Sequence, residues 1–122
     1  MKKIKLIAET AWHYYGDYKF MERLVDDILE KTKSDILKMH ITLDVDEYMN
    51  SSHIAYNDIK NKLLSKKQWS DLIKNVNNNN KDLMLLYNDT KAIEFGAQFE
   101  PPLVEIHSVC LNDIFILDAL KN

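Results

Sequence analysis

Short apolar runs alternate along this chain with longer amphipathic stretches, and a polar group tends to close each run. The first run, residues 4–9, ends on Glu9 and passes into a loop rich in aromatics, residues 10–16. From Asp17 the spacing becomes helical: Phe20, Met21, Leu24, Val25, Ile28 and Leu29 make one stripe with charges opposite. That predicts a helix capped by Asp17 and running to about Lys33. A second strand is expected over residues 35–41, where Leu37, Met39 and Ile41 alternate with Ile36, Lys38 and His40. Residues 42–64 form a long connection, helical in its later part, and connections of that length are often functional lids.

Ser65 and Gln68 have the spacing of a capping box, opening a helix that buries Trp69, Leu72, Ile73 and Val76 and ends at the Asn77–Asn80 run. The third strand, residues 82–87, is almost continuously apolar, as a sheet covered on both faces demands. Asn88, Asp89 and Thr90 begin a short helix with Ala92, Ile93 and Phe95, expected to end at Gly96. Pro101 and Pro102 set an extended lead into a fourth strand, residues 103–108. Asn112 or Asp113 caps a last helix carrying Ile114, Leu117 and Leu120.

Four successive βα units imply right-handed crossovers and a parallel sheet, hence an α/β fold. The arrangement is either an open doubly wound sheet or about half of a (β/α)8 TIM barrel, which needs about 250 residues when complete. Residues 1–122 are read as a single partial TIM-barrel domain.

Composition narrows the function classes. A chain that is 46% hydrophobic and 29% charged belongs with globular proteins, and a net charge of −3 argues against nucleic acid as a partner. No apolar run approaches the roughly 18 residues of a membrane helix, so no membrane partner is expected. The apolar stretch behind Met1 stops at Glu9, too soon for a signal sequence. The one cysteine, Cys110, excludes an internal disulfide, and together these features predict a cytoplasmic protein.

Strand alternation carries the chemistry. It places Glu9, Lys38, His40, Glu105 and His107 on one interior face near the carboxyl ends of parallel strands. Charges there are costly unless paired or functional, and a ligand site is the expectation. Lys38 with His40 and Ser108 could hold a phosphate or carboxylate. Alternatively, His13, His40 and His107 with Glu9 could ligate a divalent metal. The chain has neither a nucleophile elbow nor a glycine-rich phosphate loop.

Ile7-Ala8-Glu9, then Gly16-Asp17, Asp35-Ile36-Leu37-Lys38, the loop at Asp89 and Ile106-His107-Ser108 come in an order and spacing that resemble the N-acetylneuraminate (sialic acid) synthases, over the amino-terminal half of their barrel. The resemblance implies a condensation of phosphoenolpyruvate with N-acetylmannosamine or a related aminosugar, carried out by the complete barrel, this chain alone being inactive. It implies a divalent metal, Mn or Mg, whose histidine ligands belong to the barrel's second half. By the same resemblance Glu9 and His40 orient the sugar, while Lys38 and Ser108 hold phosphoenolpyruvate.

The chain departs from the family pattern at His13-Tyr14-Tyr15-Gly16, where the family has Asn-His-Asn-Gly, and at His40, where it has glutamine. Glu105 replaces a second lysine that binds phosphoenolpyruvate, Cys110 replaces an acidic residue, and Leu86 stands where threonine is expected. Two other readings remain: a non-catalytic half-barrel kept for binding or assembly, and a metal-dependent lyase or isomerase using His13, His40, His107 and Glu9. Open edges on strands one and four predict a homo-oligomer, most simply a dimer.

Overall fold

The computed structural model describes residues 3–121. Its elements follow in the order β1 (Ile7–Glu9), α1 (Tyr18–Lys31), β2 (Ile36–Ile41), α2 (Val45–Tyr48), α3 (Tyr56–Lys60), α4 (Lys66–Asn77), β3 (Asp82–Tyr87), α5 (Thr90–Ala97), β4 (Leu103–Ile106), a 3₁₀ turn (Ser108–Cys110) and α6 (Ile114–Ala119). The strands form one sheet in the order β1-β2-β3-β4, every neighbouring pair parallel. Sequential order with crossovers of one hand puts the main helices on one side of the sheet. That is the arrangement of a (β/α)8 barrel arc, since a doubly wound sheet reverses its strand order and carries helices on both faces.

The core lies between sheet and helices. Leu37, Met39 and Ile41 of β2 and Leu83, Leu85 and Tyr87 of β3 meet Met21, Val25 and Ile28 of α1 and Trp69, Leu72, Ile73 and Val76 of α4. The caps read from the sequence are formed. The Asp17 side chain accepts from the Phe20 amide, and Ser65 and Gln68 make both bonds of the capping box. Asp113, not Asn112, caps α6. No helix among the described residues is long and apolar enough to cross a membrane.

Several boundaries differ from expectation. Pairing in β1 begins at Ile7, and before it Lys3 and Lys5 pair with Asp35 and Asp82 at the amino-terminal ends of β2 and β3. Helix α1 stops at Lys31, where the Thr32 hydroxyl donates to the Ile28 carbonyl. Strand β4 ends at Ile106, and His107 instead caps the 3₁₀ turn by accepting from the Val109 amide. Gly96 lies inside α5, which runs on to Ala97. A side chain at Gly96 would collide with the Tyr87 ring, so the glycine serves close helix–strand packing and not termination.

The long connection is not a free loop. Asp44 caps α2 and pairs with Lys91 at 2.5 Å, and the Glu47 carboxylate accepts from the Thr90 amide and hydroxyl. These contacts tie α2 to the start of α5.

Candidate functional site: an ion cluster at the strand ends

Register decides which side chains meet on the face away from the main helices. Glu9 is paired with Lys38 and Lys38 with Met84, and one step on His40 is paired with Leu86 and Leu86 with Glu105. Paired residues of parallel strands share a face, so the alternation places Glu9, Lys38, His40 and Glu105 together at the carboxyl ends of the strands. The Lys38 ammonium lies 2.9 Å from Glu9 Oε2 and 2.8 Å from Glu105 Oε2. It is nearly buried, with 9% of its side chain exposed, whereas Glu9 and Glu105 remain 40% and 37% exposed. The surface offered to the interior is therefore two carboxylates with the cation beneath them.

The titration behaviour follows from these contacts. Burial opposes the charge on Lys38, but its hydrogen bonds to Glu105 and Glu9 outweigh that and hold its pKa above the ordinary lysine value. The Lys38 contact holds the Glu9 carboxyl below its usual range. Burial pushes the His40 pKa down despite the neighbouring Glu9, so its imidazole is neutral at pH 7. His40 Nε2 approaches Glu9 Oε1 to 2.8 Å but off the line a hydrogen bond needs, leaving this buried nitrogen without an aligned partner. Glu9 is thus the nearest polar group to this nitrogen, at a distance but not a direction that a hydrogen bond requires.

Around this cluster lie groups that the sequence pattern did not single out. Thr42 and Asn88 continue the same face two residues beyond His40 and Leu86, both buried, with Asn88 Nδ2 donating to Thr42 Oγ1 at 2.9 Å. Asn88 Oδ1 is buried with no partner. Extending the period-two count past the strand ends would have found both. Tyr48 of α2 meets His107 edge-on with ring centroids 6.1 Å apart, and His107 lies 6.4 Å from the His40 ring. That contact depends on the path of the connection and left no local signal in the sequence.

The remaining sequence candidates are placed less centrally. His107 is beside the cluster, but its Nδ1 accepts from the Val109 amide at 3.4 Å. Ser108 is exposed at the start of the 3₁₀ turn, and the partners of Lys38 are the two carboxylates. His13 is exposed on the loop after β1 and does not join the cluster. That loop is held in a strained course: Ala11 and Tyr15 have φ of 43° and 48°, Tyr15 donates to Asp58 at 2.5 Å, and the Lys62 ammonium sits 3.2 Å from the centre of its ring.

Among the described residues no three His, Cys, Asp or Glu side chains gather as a metal site. The set His13, His40, His107 and Glu9 is thus not assembled, because His13 lies on the loop and His107 is turned to its own backbone. Lys38 also occupies the carboxylates that would otherwise attract a divalent ion. The residues present do not fit a metal.

No protein-family model matches the chain, and no curated protein matches it. Solved structures do. N-acetylneuraminic acid (sialic acid) synthetase from Leptospira borgpetersenii serovar Hardjo-bovis, in complex with citrate, superposes with a TM-score of 0.84 at 19% identity, over 98% of this chain and 41% of that one.

The chain has the fold of part of a sialic acid synthetase. A putative spore coat polysaccharide biosynthesis protein E from Chromobacterium violaceum is similar as well, with a TM-score of 0.81 at 15% identity, over 98% of this chain and 38% of that one. The chain therefore spans about two fifths of each of these two structures. At such identities the likeness is one of fold, and the chemistry has to be argued from the side chains.

Proposed function

We propose that the strand-end cluster is the substrate surface of a sugar-acid synthase, which in a completed barrel joins phosphoenolpyruvate to N-acetylmannosamine or a related aminosugar. The observation carrying this reading is the Glu9–Lys38–Glu105 ion cluster with neutral His40, set at the carboxyl ends of parallel strands in a synthetase-like fold. In barrel enzymes that end of the strands is where the chemistry is done.

Exposed carboxylates accept hydrogen bonds from sugar hydroxyls, and the half-covered Glu9 beside His40 is suited to orient a polyol. Lys38 is the cation for phosphoenolpyruvate, with Ser108 at the rim. The enol carbon bonds to the sugar aldehyde carbon, whose oxygen takes up a proton, while water supplies the new keto oxygen and the enol phosphate leaves as inorganic phosphate. The anion must take Lys38 from Glu105, because the cluster as it stands sets two carboxylates against one ammonium. That same contact favours a second reading, a binding module that holds the sugar and performs no catalysis.

A nuclear magnetic resonance titration separates the two. Shifts at Glu9 and His40 with N-acetylmannosamine, and at Lys38 with phosphoenolpyruvate, are expected of the synthase. Sugar shifts alone favour the binding module, and no shift at the cluster with either ligand defeats both readings.

A further inference from the structure

The strand-end cluster is unbalanced in charge. Lys38 stays charged and Glu9 ionised by the direction of their pKa shifts, and His40 is neutral. Glu9 and Glu105 therefore set two carboxylates against one ammonium. Lys38 faces Oε2 of both glutamates, so the open acceptors are the Oε1 atoms. Glu9 Oε1 meets the buried His40 Nε2 out of line, and Glu105 Oε1 receives no donor from the described residues. Lys60, Lys62 and Lys91, cations of the neighbouring connection and of α5, are paired with Asp46, Asp58 and Asp44.

Depth along the strands decides which carboxylate a ligand meets. Glu105 pairs through Leu86 with His40, two residues beyond Lys38 on the same strand. It therefore stands one layer nearer the carboxyl ends and reaches back to the ammonium. A ligand arriving from that side meets the Glu105 carboxylate before it meets Lys38.

We propose that the polyol bound here carries a protonated amine, which takes Glu105 as its partner and leaves Lys38 to the anionic group of the other substrate. This rests on the reading of the cluster as a surface for an aminosugar and phosphoenolpyruvate. An ammonium bonds a carboxylate roughly twice as strongly as a neutral donor does, whereas an N-acetyl group offers only a neutral amide N–H. Without the amine, the anion and Glu105 compete for Lys38. With it, the cluster and its ligands hold as many cations near Lys38 as Glu9 and Glu105 require, and the anion is no longer opposed by a free carboxylate. The two ligands then bind cooperatively, and the coupling is reciprocal.

Calorimetric titration slightly below neutral pH, where the amine is protonated, compares mannosamine with N-acetylmannosamine and repeats each with phosphoenolpyruvate present. Mannosamine should bind about tenfold more tightly than its acetylated form, the gain from a charge-assisted bond over a neutral one, and added salt should narrow the difference. Saturating mannosamine should tighten phosphoenolpyruvate by about tenfold, within the usual range of coupling between sites, and N-acetylmannosamine should leave it unmoved. Glu105→Gln should bring the two sugars to one affinity and abolish the coupling, its own affinity for phosphoenolpyruvate matching that of the mannosamine-loaded wild type. Equal wild-type affinity for the two sugars, or phosphoenolpyruvate binding indifferent to mannosamine, overturns the proposal and leaves the sugar-acid reading standing. A preference for mannosamine that survives Glu105→Gln overturns it as well. Binding of neither sugar overturns the proposal and that reading together.

Discussion

Replacing Glu105 by glutamine removes one of the two carboxylates that hold Lys38 and tests whether this residue sets the ligand preference of the site. The Glu105 oxygen stands 2.8 Å from the ammonium. A phosphate or carboxylate that binds Lys38 must come within about 4 Å of it, where two like unit charges repel by roughly 4 kcal/mol at an effective dielectric near 20. Glu105 is 37% exposed, and solvent screening lowers the penalty to about 1–2 kcal/mol.

Glu105→Gln should therefore tighten phosphoenolpyruvate binding by about tenfold, since 1.4 kcal/mol is a factor of ten. Calorimetric titration reads this directly, and the gain should shrink as salt is added. Binding of N-acetylmannosamine, which carries no charge, should barely change. Stability should fall by about 1 kcal/mol, because the nearly buried Lys38 keeps Glu9 as a partner and Glu105 itself is partly open to solvent. Equal phosphoenolpyruvate affinity in both proteins would refute the reasoning. So would a gain that persists when Lys38→Met is added.

Acidification should destabilise the protein in two stages. His40 and Glu9 both have folded-state pKa values below their ordinary 6.5 and 4.5. For each, the unfolded chain takes up a proton first as pH falls, so stability is full near neutrality, declines below about 6.5 through His40 and declines again below about 4.5 through Glu9. Urea midpoints across pH would show this, with His40→Gln removing the upper stage. A midpoint that rises between pH 7 and 5 would contradict it. Gly96→Ala should destabilise by about 1–3 kcal/mol, because the added methyl meets the buried Tyr87 ring and overpacking exceeds the ~1 kcal/mol helix preference of alanine. An unchanged or higher melting temperature would show that the ring can move aside.

Much of the molecule was legible in one dimension. The helical stripe from Phe20 to Leu29, the Asp17 cap and the Ser65–Gln68 box are local patterns, and the structure forms them as read. Errors arose where a local rule had a tertiary competitor. Gly96 has the look of a terminator, but the Tyr87 ring across the helix–strand interface is what requires it. His107 continued the alternation of β4 on paper, yet the chain turns there and the imidazole caps the turn. The metal set failed for a related reason: like residue types in four places do not specify that they converge, and His13 does not.

The amino-acid order alone determined that Lys38 and His40 share a face of their strand and that Glu9 and Glu105 lie opposite their apolar neighbours, because side chains of a strand alternate by covalent geometry. It also determined the α/β class, through the succession of strand and helix periods. Only the tertiary structure decided that Lys38 lies between two carboxylates and that His40 meets Glu9 out of line. Those relations depend on the register of strands distant in sequence and on which groups win the buried position. Both are settled by packing across the whole sheet, which no single stretch of the chain encodes.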